Sequence, residues 1–65
     1  MLIRSIEKFL RAHGVAPTTF GRWAVKDPRF VFDLRNGREP RADTEAHVRS
    51  FIAAFEAARE NAHVA

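Results

Sequence analysis

Sixty-five residues with eleven Lys or Arg, eight Asp or Glu and no Cys describe one small domain of net charge +3, close to the lower size limit for a fold sustained by its core alone. A disulfide framework and a thiolate metal site are excluded. No apolar run approaches the roughly 20 residues of a membrane span, and Arg4 follows Met1 too closely for a secretory leader, so the expectation is a soluble, cytoplasmic chain.

In chain order the pattern predicts four helices and no strand. Ile3, Ile6, Leu10 and His13 recur at helical spacing, with Leu2 and Phe9 widening the stripe, so a first helix should run from about Leu2 to His13. Gly14 can then close it in the left-handed conformation. Pro17 suits the first position of a second helix, whose inward face is Phe20, Gly21 and Ala24, with Gly21 admitting a close neighbour. Trp23 lies beside that face, where packing on the fourth helix is expected ahead of a partner-binding role. Asp27 as cap and Pro28 as first residue start a third helix, and Asn36-Gly37 ends it. After a loop at Glu39–Ala42, Asp43 or Thr44 should cap a long alanine-rich helix over about 43–62. It carries Val48, Phe51, Ile52 and Phe55 inward and should fray from about Asn61.

Charge is unevenly spread. Residues 1–42 hold nine Lys or Arg against four acids, a net +5, whereas residues 43–65 hold two against four, a net −2. A basic N-terminal two thirds favours a polyanionic partner, nucleic acid before membrane, because these cations do not share one face of an apolar helix. The third helix sharpens the point. At about 100° per residue from Pro28, Val31 and Leu34 fall near 300° and 240°, opposite Phe32 at about 40°, Asn36 at about 80°, Arg29 at about 100° and Asp33 at about 140°. Val31 and Leu34 should therefore anchor the helix and leave Pro28, Arg29, Phe32, Asp33 and Asn36 on one exposed stripe. A Phe exposed among charges is anomalous on an ordinary surface. In a DNA major groove it can meet a thymine methyl, while Arg29 bonds a guanine edge and Asp33 accepts from cytosine or orients an arginine. Around this stripe Thr18, Arg22, Lys26, Arg35, Arg38 and Arg41 are the candidate phosphate contacts, which would position the domain without choosing sequence.

Residues 17–38 resemble the helix-turn-helix of the lambda-repressor-like (XRE, Cro-type) DNA-binding family, without a gap. Phe20-Gly21 matches the family's apolar-then-small pair, Val31 and Leu34 its buried recognition-helix positions, and Asn36-Gly37-Arg38 its closing motif. The first and last helices also fall where that family has them. The resemblance implies an all-α, compact four-helix domain over residues 1–65, with the helix-turn-helix at about 17–37. It further implies a sequence-specific transcriptional regulator of duplex DNA, repressor-like, acting as a homodimer at least on DNA. Two departures matter. Val25 stands where the family often has a turn glycine, and a β-branched residue resists positive φ, which moves the turn to Lys26. Ala16 and Thr19 replace the family's usual cap and first-turn amide, leaving Thr18 or helix N–H groups to meet phosphate.

Nothing points to catalysis. Ser5 and Ser50 lack a partnering His, the carboxylates are dispersed, and no glycine-rich phosphate loop occurs, so an enzyme is not expected. His13, His47 and His63 are too scattered for metal ligation and read as surface or capping residues. No cofactor or small-molecule ligand is indicated. The competing readings are a helix-turn-helix module that binds protein and a nonspecific, nucleoid-type architectural DNA binder.

Overall fold

The computed structural model describes the backbone of residues 1–64 and the side chains of residues 1–59. Four helices, α1 (Leu2–His13), α2 (Pro17–Val25), α3 (Phe30–Arg35) and α4 (Ala42–Val64), account for the regular structure, with no strand among the described residues. In α1 the 3-4 spacing buries Leu2, Ile6, Phe9 and Leu10. Gly14 closes the helix at φ 64°, letting the Val15 N–H reach the Leu10 carbonyl at 3.1 Å. Pro17 opens α2 after an extended Ala16, and Phe20, Gly21 and Ala24 face inward as their spacing predicts.

The third helix begins later than Pro28. Asp27 Oδ1 accepts the Arg29 N–H at 3.0 Å, but this caps a tight turn closed by the Phe30 N–H on the Asp27 carbonyl at 3.2 Å; the N-cap of the helix itself is Arg29, with no side-chain cap, so Asp27 does not fill that place. Pro28 supplies no N–H, and Arg29 sits at φ −96°, ψ 0°, so regular α-geometry starts only at Phe30. Six helical residues, about 9 Å of axis, remain. They bury Phe30, Val31 and Leu34, and Gly37 at φ 96° ends the element by allowing the Arg38 N–H to bond the Asp33 carbonyl at 3.0 Å.

The fourth helix begins earlier than expected. It starts at Ala42, with the Glu45 N–H on the Arg41 carbonyl at 2.9 Å, so Asp43 and Thr44 lie inside its first turn instead of capping it. Asp43 Oδ1 accepts the Thr44 N–H there at 2.9 Å, and its negative charge still suits the helix N-terminus. Twenty-three residues make α4 about 35 Å long, which accounts for the 40 × 22 × 20 Å shape of the domain. Its backbone stays helical through Val64; the side chains of the last turn, where fraying was expected, lie outside the described residues.

The core is a wedge of helix faces closed by α4. Val48 is fully buried, while Phe51, Ile52 and Phe55 are half-buried because only α1 and α2 cover them. Phe9 stands at the centre, with ring centroids 5.3 Å from Phe20 and 5.0 Å from Phe55 in edge-on contacts. Phe20 meets Phe51 at 5.6 Å in the same way. Such pairs add about 0.5–1.5 kcal/mol each beyond simple burial. His13 belongs to this cluster, 4.7 Å from Phe9 and 5.2 Å from Phe55, with Nε2 2.9 Å from Glu56 Oε2. It is thus a packed residue with one wet edge. His47 takes the capping role: its Nε2–H donates to the Ala24 carbonyl at 2.8 Å and ties the last turn of α2 to α4.

Candidate nucleic-acid interface

Two backbone devices set α2 against α3. Lys26 ends α2 in the left-handed conformation, φ 58° and ψ 32°, which directs its N–H to the Arg22 carbonyl at 3.2 Å and the Asp27 N–H to the Gly21 carbonyl at 3.1 Å. A non-glycine residue there carries strain of about 1–2 kcal/mol. Val25, whose branched Cβ would suffer more, stays helical. Gly21 is the second device. A Cβ at this position would overlap the Asp27 carbonyl oxygen and lie 3.2 Å from its carbon, so the turn passes directly over the bare α-carbon. The close neighbour foreseen for Gly21 is this turn backbone, and α3 packs chiefly on α2 as a result.

The surface that follows is built on α3. Val31 is fully buried and Leu34 nearly so, whereas Phe32 keeps 42% of its surface exposed. Pro28, Arg29 and Asn36 are exposed too, although Pro28 and Arg29 lie in the turn ahead of α3 and Asn36 just beyond its end, so of the predicted stripe only Phe32 and Asp33 stand on the helix itself. Asp33 is half-buried and engaged: Arg38 Nη1 donates to its Oδ2 at 2.9 Å. Of the two roles open to Asp33, orienting an arginine is the one this geometry provides. Arg38 is held at both backbone and side chain by a single residue of α3.

Among the candidate phosphate contacts the structure draws a distinction. Arg35 donates from Nε and Nη2 to the two oxygens of Glu7 at 2.6 and 2.8 Å, a forked bond that ties α3 to α1. This pairing holds the Glu7 carboxyl below the ordinary carboxylate range and raises Arg35 further. Arg35 is therefore paired within the domain while its side chain stays exposed, and its guanidinium also lies 5.7 Å from the centre of the Phe32 ring. Twenty-eight residues separate Arg35 from Glu7, so no local pattern announces the pair. Arg22, Lys26, Arg29 and Arg41, by contrast, are exposed and make no ion pair among the described residues. Thr18 is half-buried on the first turn of α2, on a flank shared with Arg22 and about 140° from Trp23 around the helix.

Trp23 marks the other flank. It stacks on Phe55 of α4 at 6.1 Å and 24°, as expected from its place beside the inward face, yet 52% of its surface remains exposed. Among the described residues no cluster of three metal-ligating side chains occurs, and no helix is long and apolar enough to cross a membrane. Comparisons with protein-family models, with characterised proteins and with solved structures gave no significant match.

Proposed function

We propose that this domain is a lambda-repressor-like, sequence-specific regulator that binds duplex DNA with α3 at the major groove and α2 across the backbone. The observation that carries the reading is Phe32 exposed between Arg29 and Asn36 on a helix whose opposite face, Val31 and Leu34, is buried. An apolar ring flanked by a guanidinium and an amide offers the three chemistries that distinguish base edges in that groove: a methyl contact, a forked donor for guanine and a paired donor and acceptor for adenine. Pro28 borders the stripe, and Asp33 acts through Arg38. Arg22, Lys26, Arg38 and Arg41 supply phosphate contacts around it, with Thr18 as a neutral one, and these set affinity and its salt dependence.

One α3 reaches only a few base pairs, so useful specificity calls for two copies on half-sites about 34–36 Å apart. We assign the pairing surface to the Glu39–Ala42 loop and the outer face of α4, where Ala53, Ala54, Ala57 and Ala58 are exposed and permit close approach. A repressor-like role in the cytoplasm, at the nucleoid, belongs to the same reading. Trp23, half exposed where it stacks on Phe55 of α4, favours the second reading, a protein-interaction module. Selection of duplexes from a randomised pool, followed by titration at several salt concentrations, separates the readings. Enrichment of one sequence, with affinity above that for scrambled DNA, supports the regulator. Binding that is equal on all sequences and lost evenly with salt supports architectural binding, and no binding at low salt supports the protein module.

A further inference from the structure

Resting on the DNA-binding reading, we propose that Glu7, Arg35 and Phe32 form a reader of the C5-methyl group of a pyrimidine in duplex DNA. Leaving Phe32 in water costs the domain burial that its neighbours obtain. Its neighbours Phe30 and Val31 are buried, so α3 has room for apolar side chains, yet Phe32 is turned outward with 42% of its surface open. The ring is also held. Arg35, one turn further on, lies 5.7 Å from the ring centre, and a guanidinium so placed favours one orientation of the aromatic face. Arg35 is itself tethered, donating to the two oxygens of Glu7 on α1 at 2.6 and 2.8 Å. An exposed side chain fixed from behind across two helices is pre-organised for a contact, and a ring has no hydrogen bond to offer a base.

The only apolar group that a base pair presents in the major groove is the pyrimidine C5 substituent, a methyl in thymine and 5-methylcytosine and a hydrogen in uracil and cytosine. Phe32 therefore distinguishes the methylated member of each pair. In this arrangement Arg35 and Glu7 are positioning residues: they touch no base, and their charges largely satisfy each other. Burying one methyl-sized group is worth about fourfold in affinity, the equivalent of about 0.8 kcal/mol.

The test uses the full chain and the duplex enriched from a randomised pool. Replacing each thymine in turn by deoxyuridine should weaken binding about fourfold at one position of each half-site and leave the others unchanged. A cytosine placed there should bind about fourfold more tightly when it carries a 5-methyl group. Phe32→Ala should erase both differences while retaining preference at the other base pairs. Glu7→Gln should shrink them, since Arg35 loses its fork, with little change in the binding of scrambled DNA. An enriched duplex that tolerates loss of every thymine methyl, or contains no thymine, overturns the methyl reading and leaves DNA binding standing. Failure to enrich any sequence overturns both. The nucleotide substitutions need no variant protein, so a Phe32→Ala chain that does not fold leaves the test intact.

Discussion

Gly21→Ala sets two effects against each other within one methyl group. In the interior of a helix alanine is favoured over glycine by about 1 kcal/mol, so propensity alone predicts a more stable protein. Packing opposes this. The added Cβ would overlap the Asp27 carbonyl oxygen and stand 3.2 Å from its carbon and 3.4 Å from the Pro28 Cα, all backbone atoms that cannot rotate away. Making room means lifting the turn off α2 and weakening the 3.1 Å bond from the Asp27 N–H to the Gly21 carbonyl. Overpacking of this kind costs about 1–3 kcal/mol, and the rigidity of the obstacle places it near 3. The net expectation is a loss of about 2 kcal/mol, or a fall in Tm of about 8–16 °C for a domain of this size. Thermal unfolding followed by circular dichroism measures it directly. An unchanged or raised Tm would mean that the turn does not cross Gly21, and the stated geometry between α2 and α3 would be withdrawn.

Further outcomes are as definite. Phe32→Ala should change stability by no more than about 1 kcal/mol while lowering affinity for an enriched duplex, whereas a core phenylalanine would cost about 3–5 kcal/mol in chemical denaturation. Lys26→Gly should relieve the strain of a side chain at φ 58° and raise stability by about 1 kcal/mol, yet lower the salt dependence of DNA binding by about one unit per bound copy; a less stable protein would contradict the strain argument. Because Arg35 holds Glu7 below the ordinary carboxylate value, the pair's contribution is complete above the unfolded carboxylate pKa and disappears as pH falls through the folded one. Denaturation midpoints from about pH 6 to about pH 3 should thus fall more steeply for the natural chain than for Glu7→Gln, and parallel curves would deny the pair any role in stability.

Much of this architecture is legible in the sequence because it is written in local chemistry. Gly14 as a left-handed stop, Pro17 as a first residue, the exclusion of Val25 from positive φ in favour of Lys26, and the opposition of Val31 and Leu34 to Phe32 all follow from neighbours within a turn or two. Element edges are less legible. Asp27 caps the turn ahead of α3 and not the helix, because the bridge conformation of Arg29 delays regular helix to Phe30, and α4 starts at Ala42, ahead of the acidic residues that could have capped it. Least legible are side-chain pairings set by tertiary packing. Nothing near Arg35 in the chain announces Glu7, nothing near His13 announces Glu56, and nothing near His47 announces the Ala24 carbonyl. The first of these matters for the site, since it gives one of the candidate phosphate contacts a partner within the domain, beside Phe32.

The central claim is that α3 reads base edges, and Arg29 tests it most directly. Its side chain is exposed at the start of the stripe and makes no ion pair among the described residues, so nothing within the domain competes for it. The measurement compares the natural chain with Arg29→Ala on the enriched duplex, on its single-base-pair variants and on scrambled DNA at one salt concentration. The account predicts a loss of about 1–3 kcal/mol per half-site on the enriched duplex, with preference relaxed at one base pair of each half-site and scrambled DNA bound nearly as before. Equal weakening on every duplex would make Arg29 a phosphate contact, and unchanged binding on all of them would contradict the assignment of α3 as the reading helix.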